Sequence, residues 1–168
     1  MTLELLNEIK AATLNGLRNL KDKHPKEDFC AFGLYSDEGA MTVCLAANTA
    51  THLKKNAQSS PDEYAYYKWM MPEWKYEDVE SSCFNEIVAK INSHLKSIDS
   101  DEEFEKFQNS LFNACVQSLE EIKAKGLFGD ALVLFQVTDF EDDEKLIGWA
   151  DRLNEKNQVK EYVDLINE

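Results

Sequence analysis

The stretch Phe29–Thr49, FCAFGLYSDEGAMTVCLAANT, decides how the chain is read. Two short apolar runs rich in β-formers, Phe29 to Tyr35 and Met41 to Ala47, flank the polar tetrad Ser36-Asp37-Glu38-Gly39. A glycine-bearing polar turn between such runs predicts an antiparallel hairpin, with Gly39 free to take positive φ. Strand alternation sends Phe29, Ala31, Gly33 and Tyr35 to one face and Cys30, Phe32 and Leu34 to the other. Both faces are mostly apolar, so both should be covered. That favours a fold centre over a catalytic hairpin, which would aim charged or hydroxyl groups inward. Only Tyr35, Thr42 and the two cysteines could serve that way, and the register between Cys30 and Cys44 is open.

Outward from the hairpin, helices dominate. Residues 3 to 23 carry Leu3, Leu6, Ile9, Thr13, Leu17 and Leu20 on one stripe, widened by Leu5, Ala12 and Leu14. His24-Pro25 ends that helix, because a residue before proline avoids the helical region. Asn48 or Thr49 can cap a short helix reaching about Gln58. Ser60-Pro61-Asp62-Glu63 reads as a second start, with Ser60 as cap, Pro61 first and Glu63 closing a capping box. The helix it opens, DEYAYYKWM, stops before Pro72, and MPEWKYEDVESS reads as irregular. Phe84, Ile87, Val88, Ile91, Leu95 and Ile98 mark a further helix. Ser100-Asp101-Glu102-Glu103 opens the longest one, which Gly126 closes. The run Ala131 to Val137, ALVLFQV, reads as a central strand. After the acidic loop TDFEDDE come two helices, one carrying Leu146, Ile147, Trp149, Ala150 and Leu153, the other Val159, Tyr162, Val163 and Ile166. This order predicts an α+β fold: a small, mainly antiparallel sheet, made of the hairpin plus a later central strand, packed by several amphipathic helices. With 168 residues, no repeat and no Pro-, Gly- or Ser-rich linker, the chain reads as a single domain over 1–168.

Charge narrows the partners. The chain carries 32 acidic and 18 basic residues, a net charge of −14. Nucleic-acid binding draws on counterion release by Lys and Arg, so this balance argues against a nucleic-acid partner. It argues equally against an anionic membrane surface. A basic protein reached by electrostatic steering suits it. No apolar run approaches the ~20 residues of a membrane span. The first residues lack a basic region followed by an unbroken apolar run, so no secretory leader is expected and a cytoplasmic location follows. Cys30, Cys44, Cys83 and Cys115 are widely spaced, which suits small buried thiols rather than a disulfide scaffold.

No phosphate-binding loop, dinucleotide fingerprint, zinc-protease helix, nucleophile elbow or EF-hand loop is present, so no catalytic residue, cofactor or metal ligand is assigned. His24, His52 and His94 stand in different elements. Two segments are candidate binding surfaces. Tyr64 to Tyr76, YAYYKWMMPEWKY, concentrates aromatics around methionines, and Tyr66, Tyr67, Trp69, Trp74 and Tyr76 could form a partner surface or brace the core. The acidic loop offers Asp139, Glu141 and Asp142 either as contacts or as carboxylates favouring the next helix start. A divalent cation there is a weaker reading, because the loop lacks the alternation and glycine of a calcium loop. The preferred function is a non-catalytic protein-binding module. The alternative is a small-molecule binder or enzyme whose cleft lies near the hairpin and the exit of strand 131–137, where Tyr35, Asn48, Trp74 and Asp139 would converge.

Three motifs in this order resemble a family. They are Phe29, Ala31, Phe32, Leu34, Tyr35, Asp37, Gly39, Thr42, Val43, Ala47, Asn48 and Thr49; then Trp69, Pro72, Glu73 and Trp74, with one methionine extra before Pro72; then Phe128-Gly129 ahead of a strand. They are similar to a bacterial domain-of-unknown-function family, number four-three-zero-three. The resemblance implies no catalytic residue. By analogy with small acidic bacterial proteins, it implies an interaction module, such as an immunity protein that neutralises a basic toxin.

Overall fold

In the computed structural model, which describes residues 2–167, β1 (Phe29–Asp37) and β2 (Cys44–Thr49) form the expected antiparallel pair. The second strand starts three residues later than its apolar run, because Thr42 and Met41 are used to close the turn. Asp37 accepts from the Met41 amide at 3.2 Å and from the Thr42 hydroxyl at 2.6 Å, while the Ala40 amide donates to the Asp37 carbonyl at 2.9 Å. The positive φ falls on Ala40 (53°), not on Gly39 as the sequence suggested. A bulge between Phe29 and Ala31 also changes the alternation. Phe29 joins Phe32, their rings 5.4 Å apart, and leaves the face of Ala31 and Gly33. Cys30 lies at that bulge while Cys44 pairs with Tyr35 at the other end of the ladder, so the two thiols do not meet; all four cysteines are free.

Two further strands complete a sheet of order β3-β2-β1-β4. Here β3 (Tyr76–Val79) pairs antiparallel with β2, and β4 (Leu132–Thr138) runs parallel to β1. The segment read as irregular thus supplies an edge strand. Its sequence, YEDV, has no apolar alternation to reveal it, and Asp78 sits at φ 47° where the ladder with β2 shifts register. The apolar run expected in the sheet centre lies at its other end. Its outer edge is covered by a helix, which explains the apolar sequence.

That helix is α6 (Asp143–Leu153). It straddles the β4 edge, sending Trp149 and Leu153 into one core and Ala150 into the other. The Asn154 side chain after it replaces a missing strand: it accepts from the Val133 amide at 3.0 Å and donates to the Val133 carbonyl at 2.6 Å. On the first face, α1 (Thr2–Lys23), α4 (Asn85–Leu95) and α5 (Asp101–Ala124) pack against Phe32, Leu34, Leu45, Val133 and Phe135. The α1 stripe of Leu6, Ile9, Leu17 and Leu20 is buried; the Leu3 side chain lies outside the described residues. Ser100 caps α5 by accepting from the Glu103 amide at 3.2 Å.

On the second face, α2 (Ala50–Ser59) is capped by Thr49 and leads toward α3 (Tyr64–Trp69). Ser60 makes no side-chain cap; Pro61 to Glu63 forms a single 3-10 turn, and the expected capping box does not close. The second core joins Ala31, Ala46, Leu132 and Leu134 of the sheet to Trp69, Met71 and Trp74, and to Val159 and Tyr162 of α7 (Lys156–Ile166). The fold is α+β with helices on both faces of a mixed sheet, and two of its three strand pairings are antiparallel. Among the described residues, no helix is long and apolar enough to cross a membrane.

Candidate functional site

A cleft of about 410 Å³ opens at the C-terminal ends of β1 and β4. Its origin is topological. The two strands run parallel and leave the sheet on the same edge, but β1 turns into the hairpin and β4 into α6, so the chain diverges there. Parallel strands commonly leave a crevice at this end. β1 contributes Tyr35, and β4 contributes Gln136, Val137 and Thr138. Met70, Met71 and Pro72 line one side with Glu77 of β3; Asp143 and Leu146 of α6 and Tyr162, Leu165 and Ile166 of α7 line the other. The lining is mainly apolar, and its volume lies in the range of roughly 300–1,000 Å³ usual for ligand sites.

Gln136 holds the cleft together. Its amide nitrogen donates to the Trp69 carbonyl at 2.8 Å and to the Tyr162 hydroxyl at 3.2 Å, and its oxygen accepts from the Met71 amide at 3.1 Å. One side chain thus ties the Met70–Pro72 segment and α7 to the sheet. Glu161 adds a second tie, accepting from Trp69 Nε1 at 2.6 Å and from Lys68 Nζ at 2.5 Å. Trp69 itself is fully buried and stacks on Tyr162 at 4.9 Å, with the rings 17° from parallel. Burial opposes ionisation of Glu161, yet the two donated hydrogen bonds and the Lys68 charge keep its carboxyl below the ordinary glutamate value.

The two phenols on the cleft, and the Cys44 thiol paired beside Tyr35, keep their protons. Burial raises the Tyr35 phenol, and the neighbouring Cys44 raises it further. Burial and the Asp78 charge push the Cys44 thiol up to about 11. Burial also raises the Tyr162 phenol, with a contribution from Asp143. At neutral pH these groups are neutral hydrogen-bond donors, not thiolate or phenolate nucleophiles.

The residues singled out from sequence scatter around this geometry. Of the four expected to converge, Tyr35 alone lines the cleft. Asn48 lies near the far end of the β1-β2 ladder and is 1% exposed. Its oxygen accepts from the amides of Thr49 at 2.9 Å and Lys75 at 3.3 Å, fixing the approach to β3. Trp74 is buried, donating to the Lys68 carbonyl at 3.1 Å. Trp69 and Trp74 therefore brace the second core. Tyr76 packs near Phe29 and donates to Glu27 at 3.2 Å. Tyr66 is exposed and donates to Glu73, and Tyr67 donates to Glu63, both within their own segment.

In the acidic loop, Asp139 takes φ 59° and is exposed. Asp142 is the α6 cap, accepting from the Lys145 amide at 3.0 Å. Glu141 and Asp142 line a shallow depression together with Glu38, Glu144 and Asp143. Asp143 also lines the cleft, so the acidic surface and the apolar cleft are continuous at that residue. Among the described residues, no three His, Cys, Asp or Glu side chains are grouped to hold a metal ion. Sequence reading missed the α7 contribution and Gln136. The available signal was Tyr162, a polar tip inside an otherwise apolar helical stripe.

The chain belongs to the family described as Domain of unknown function (DUF4303), whose model matches residues 9–155. Neither a curated protein nor a solved structure matches it.

Proposed function

We propose that this member of an uncharacterised family is a non-catalytic binding module for a basic protein, and in sharper form a cytoplasmic immunity-type neutraliser of a basic toxin. The observation that carries the reading is the junction at Asp143 between an apolar cleft and a carboxylate-lined surface. Apolar pockets supply affinity, because buried anchors dominate interface energetics. Surrounding charge supplies orientation and speed of encounter. The net charge of −14 extends that field over the molecule. The protonated state of Tyr35, Cys44 and Tyr162 supports recognition over nucleophilic chemistry.

The test compares the wild-type protein with the variant Glu141→Gln/Asp143→Asn/Glu144→Gln, which spares the capping carboxylate of Asp142. The basic product of a neighbouring gene should bind the wild type at low salt. It should release as salt rises toward about 0.5 M, where screening is strong. The variant should lose that binding while melting no lower than the wild type at low salt. Equal binding by both proteins, or binding indifferent to salt, would refute the reading. Co-expression decides the sharper form: rescue of growth by wild type and not by the variant supports neutralisation.

A further inference from the structure

We propose that the cleft receives an apolar-basic segment of a polypeptide, its cation at Glu77 or Asp143 on the facing walls and one of its backbone carbonyls on the Tyr162 hydroxyl. The inference deepens the binding-module reading and rests on it. Glu77 and Asp143 approach the cleft from β3 and α6, both are exposed, and neither has an ion-pair partner among the described residues. The nearby lysines are engaged elsewhere, Lys68 with Glu161, Lys75 with Glu27 and Lys145 with Asp142, so both carboxylates are open to a ligand cation. Carboxylates beside an apolar cavity favour a cation carried on an apolar body.

Tyr162 supplies an independent pointer. It is 2% exposed, and its oxygen accepts from Gln136, so its own proton is available for donation. That proton has no acceptor among the described residues, and the side chain lines the cleft. Held in place by Gln136, the hydroxyl can donate to a ligand carbonyl that enters the cleft. Met70 and Met71 give the wall adaptable surface, as on peptide-binding proteins that accept varied sequences. Carbonyl, apolar body and cation together describe a peptide segment better than a simple amine.

The probes are acetyl-Leu-Lys-Leu-amide, its Glu counterpart acetyl-Leu-Glu-Leu-amide, and hexylamine, each titrated into isotope-labelled full-length protein while amide shifts are followed. The Lys peptide should saturate and move the amides of Tyr35, Gln136 and Leu146. The Glu peptide should bind at least about tenfold more weakly. Glu77→Gln/Asp143→Asn removes the carboxylate from either wall and should weaken the Lys peptide up to about fivefold, as one exposed ion pair would. Tyr162→Phe keeps the stack on Trp69 and should weaken both peptides about fivefold. Equal binding of the two peptides would remove the cation assignment. Hexylamine binding as tightly as the peptide would replace the peptide by a small amine. Shifts confined to other surfaces would remove the cleft. If the peptide binds and the basic protein does not, only the partner reading falls; the reverse outcome removes only this cleft assignment.

Discussion

Gly33 shows how one missing side chain shapes the cleft. A Cβ there would lie 2.2 Å from Met71 Cε and 2.6 Å from the Leu134 carbonyl oxygen. Met71 could swing away, but the carbonyl belongs to the neighbouring strand and cannot. Gly33→Ala should therefore cost about 1–3 kcal/mol, in the range of core overpacking. Urea unfolding should show a lower midpoint with an unchanged slope. Because Met71 lines the cleft, the same variant should also weaken any cleft ligand. An unchanged midpoint would show that the strands part more easily than their ladder implies. The sequence marks Gly33 as an apolar-face glycine but not what presses on it, because Met71 comes from a segment with no strand or helix pattern. Ala40 illustrates the same gap. Asp37, Gly39 and Thr42 announce a turn, yet the Asp37 hydrogen bonds place the left-handed residue on Ala40, and nothing about an alanine signals that.

At the scale of elements, the clamp between α7 and the α3 segment depends on ionised Glu161. Its folded pKa lies below the ordinary value of 4.5, so the carboxylate binds its proton less readily in the native state. The unfolded chain then takes up protons first as pH falls. The stabilisation is fully present above the ordinary carboxylate range and is lost as pH drops through the folded pKa. Glu161→Gln should melt below wild type at pH 7, and the gap should close on acidification below about pH 4. Thermal melts at stepped pH would check this; a gap constant with pH would assign the effect to packing instead. Trp69→Ala removes the ring between Glu161 and Tyr162 and should cost about 3–5 kcal/mol.

Helices with long apolar stripes, such as α1 and α5, were legible because local pattern and tertiary environment agree. β3 was not, because a four-residue edge strand with acidic side chains buries too little to leave a period-two signature. The cleft was legible in its position at the β4 exit and in Tyr35. Its α7 wall was not, since Tyr162 reaches the cleft beside Tyr35 through Gln136, which the parallel pairing of β1 with β4 sets opposite Tyr35.

Charge acts on the whole molecule in two opposing ways. Ion pairs between distant elements, such as Lys10 with Glu121 and Arg152 with Glu120, favour the folded chain, and salt weakens them. Such surface pairs contribute little net stability, because solvent screens them and holding two long side chains in place costs entropy. Against them stand 32 acidic residues with only 18 basic ones, compressed by folding into one volume. Like-charge repulsion opposes compaction, and salt relieves it. Between about 10 mM and about 1 M NaCl the Debye length falls from roughly 30 Å to roughly 3 Å, so repulsion across the molecule is largely removed while the shortest contacts persist in part. The repulsive contribution is long-ranged and should lose more than the short-ranged pairs do. The melting temperature should therefore rise with NaCl, and the increase should shrink in Glu141→Gln/Asp143→Asn/Glu144→Gln. That variant should be no less stable than wild type at low salt, because it removes repulsion and spares the α6 cap. A melting temperature that falls with NaCl would mean the ion pairs dominate. A variant that is less stable at low salt would mean these carboxylates serve the fold, leaving no stability cost for a basic partner to relieve.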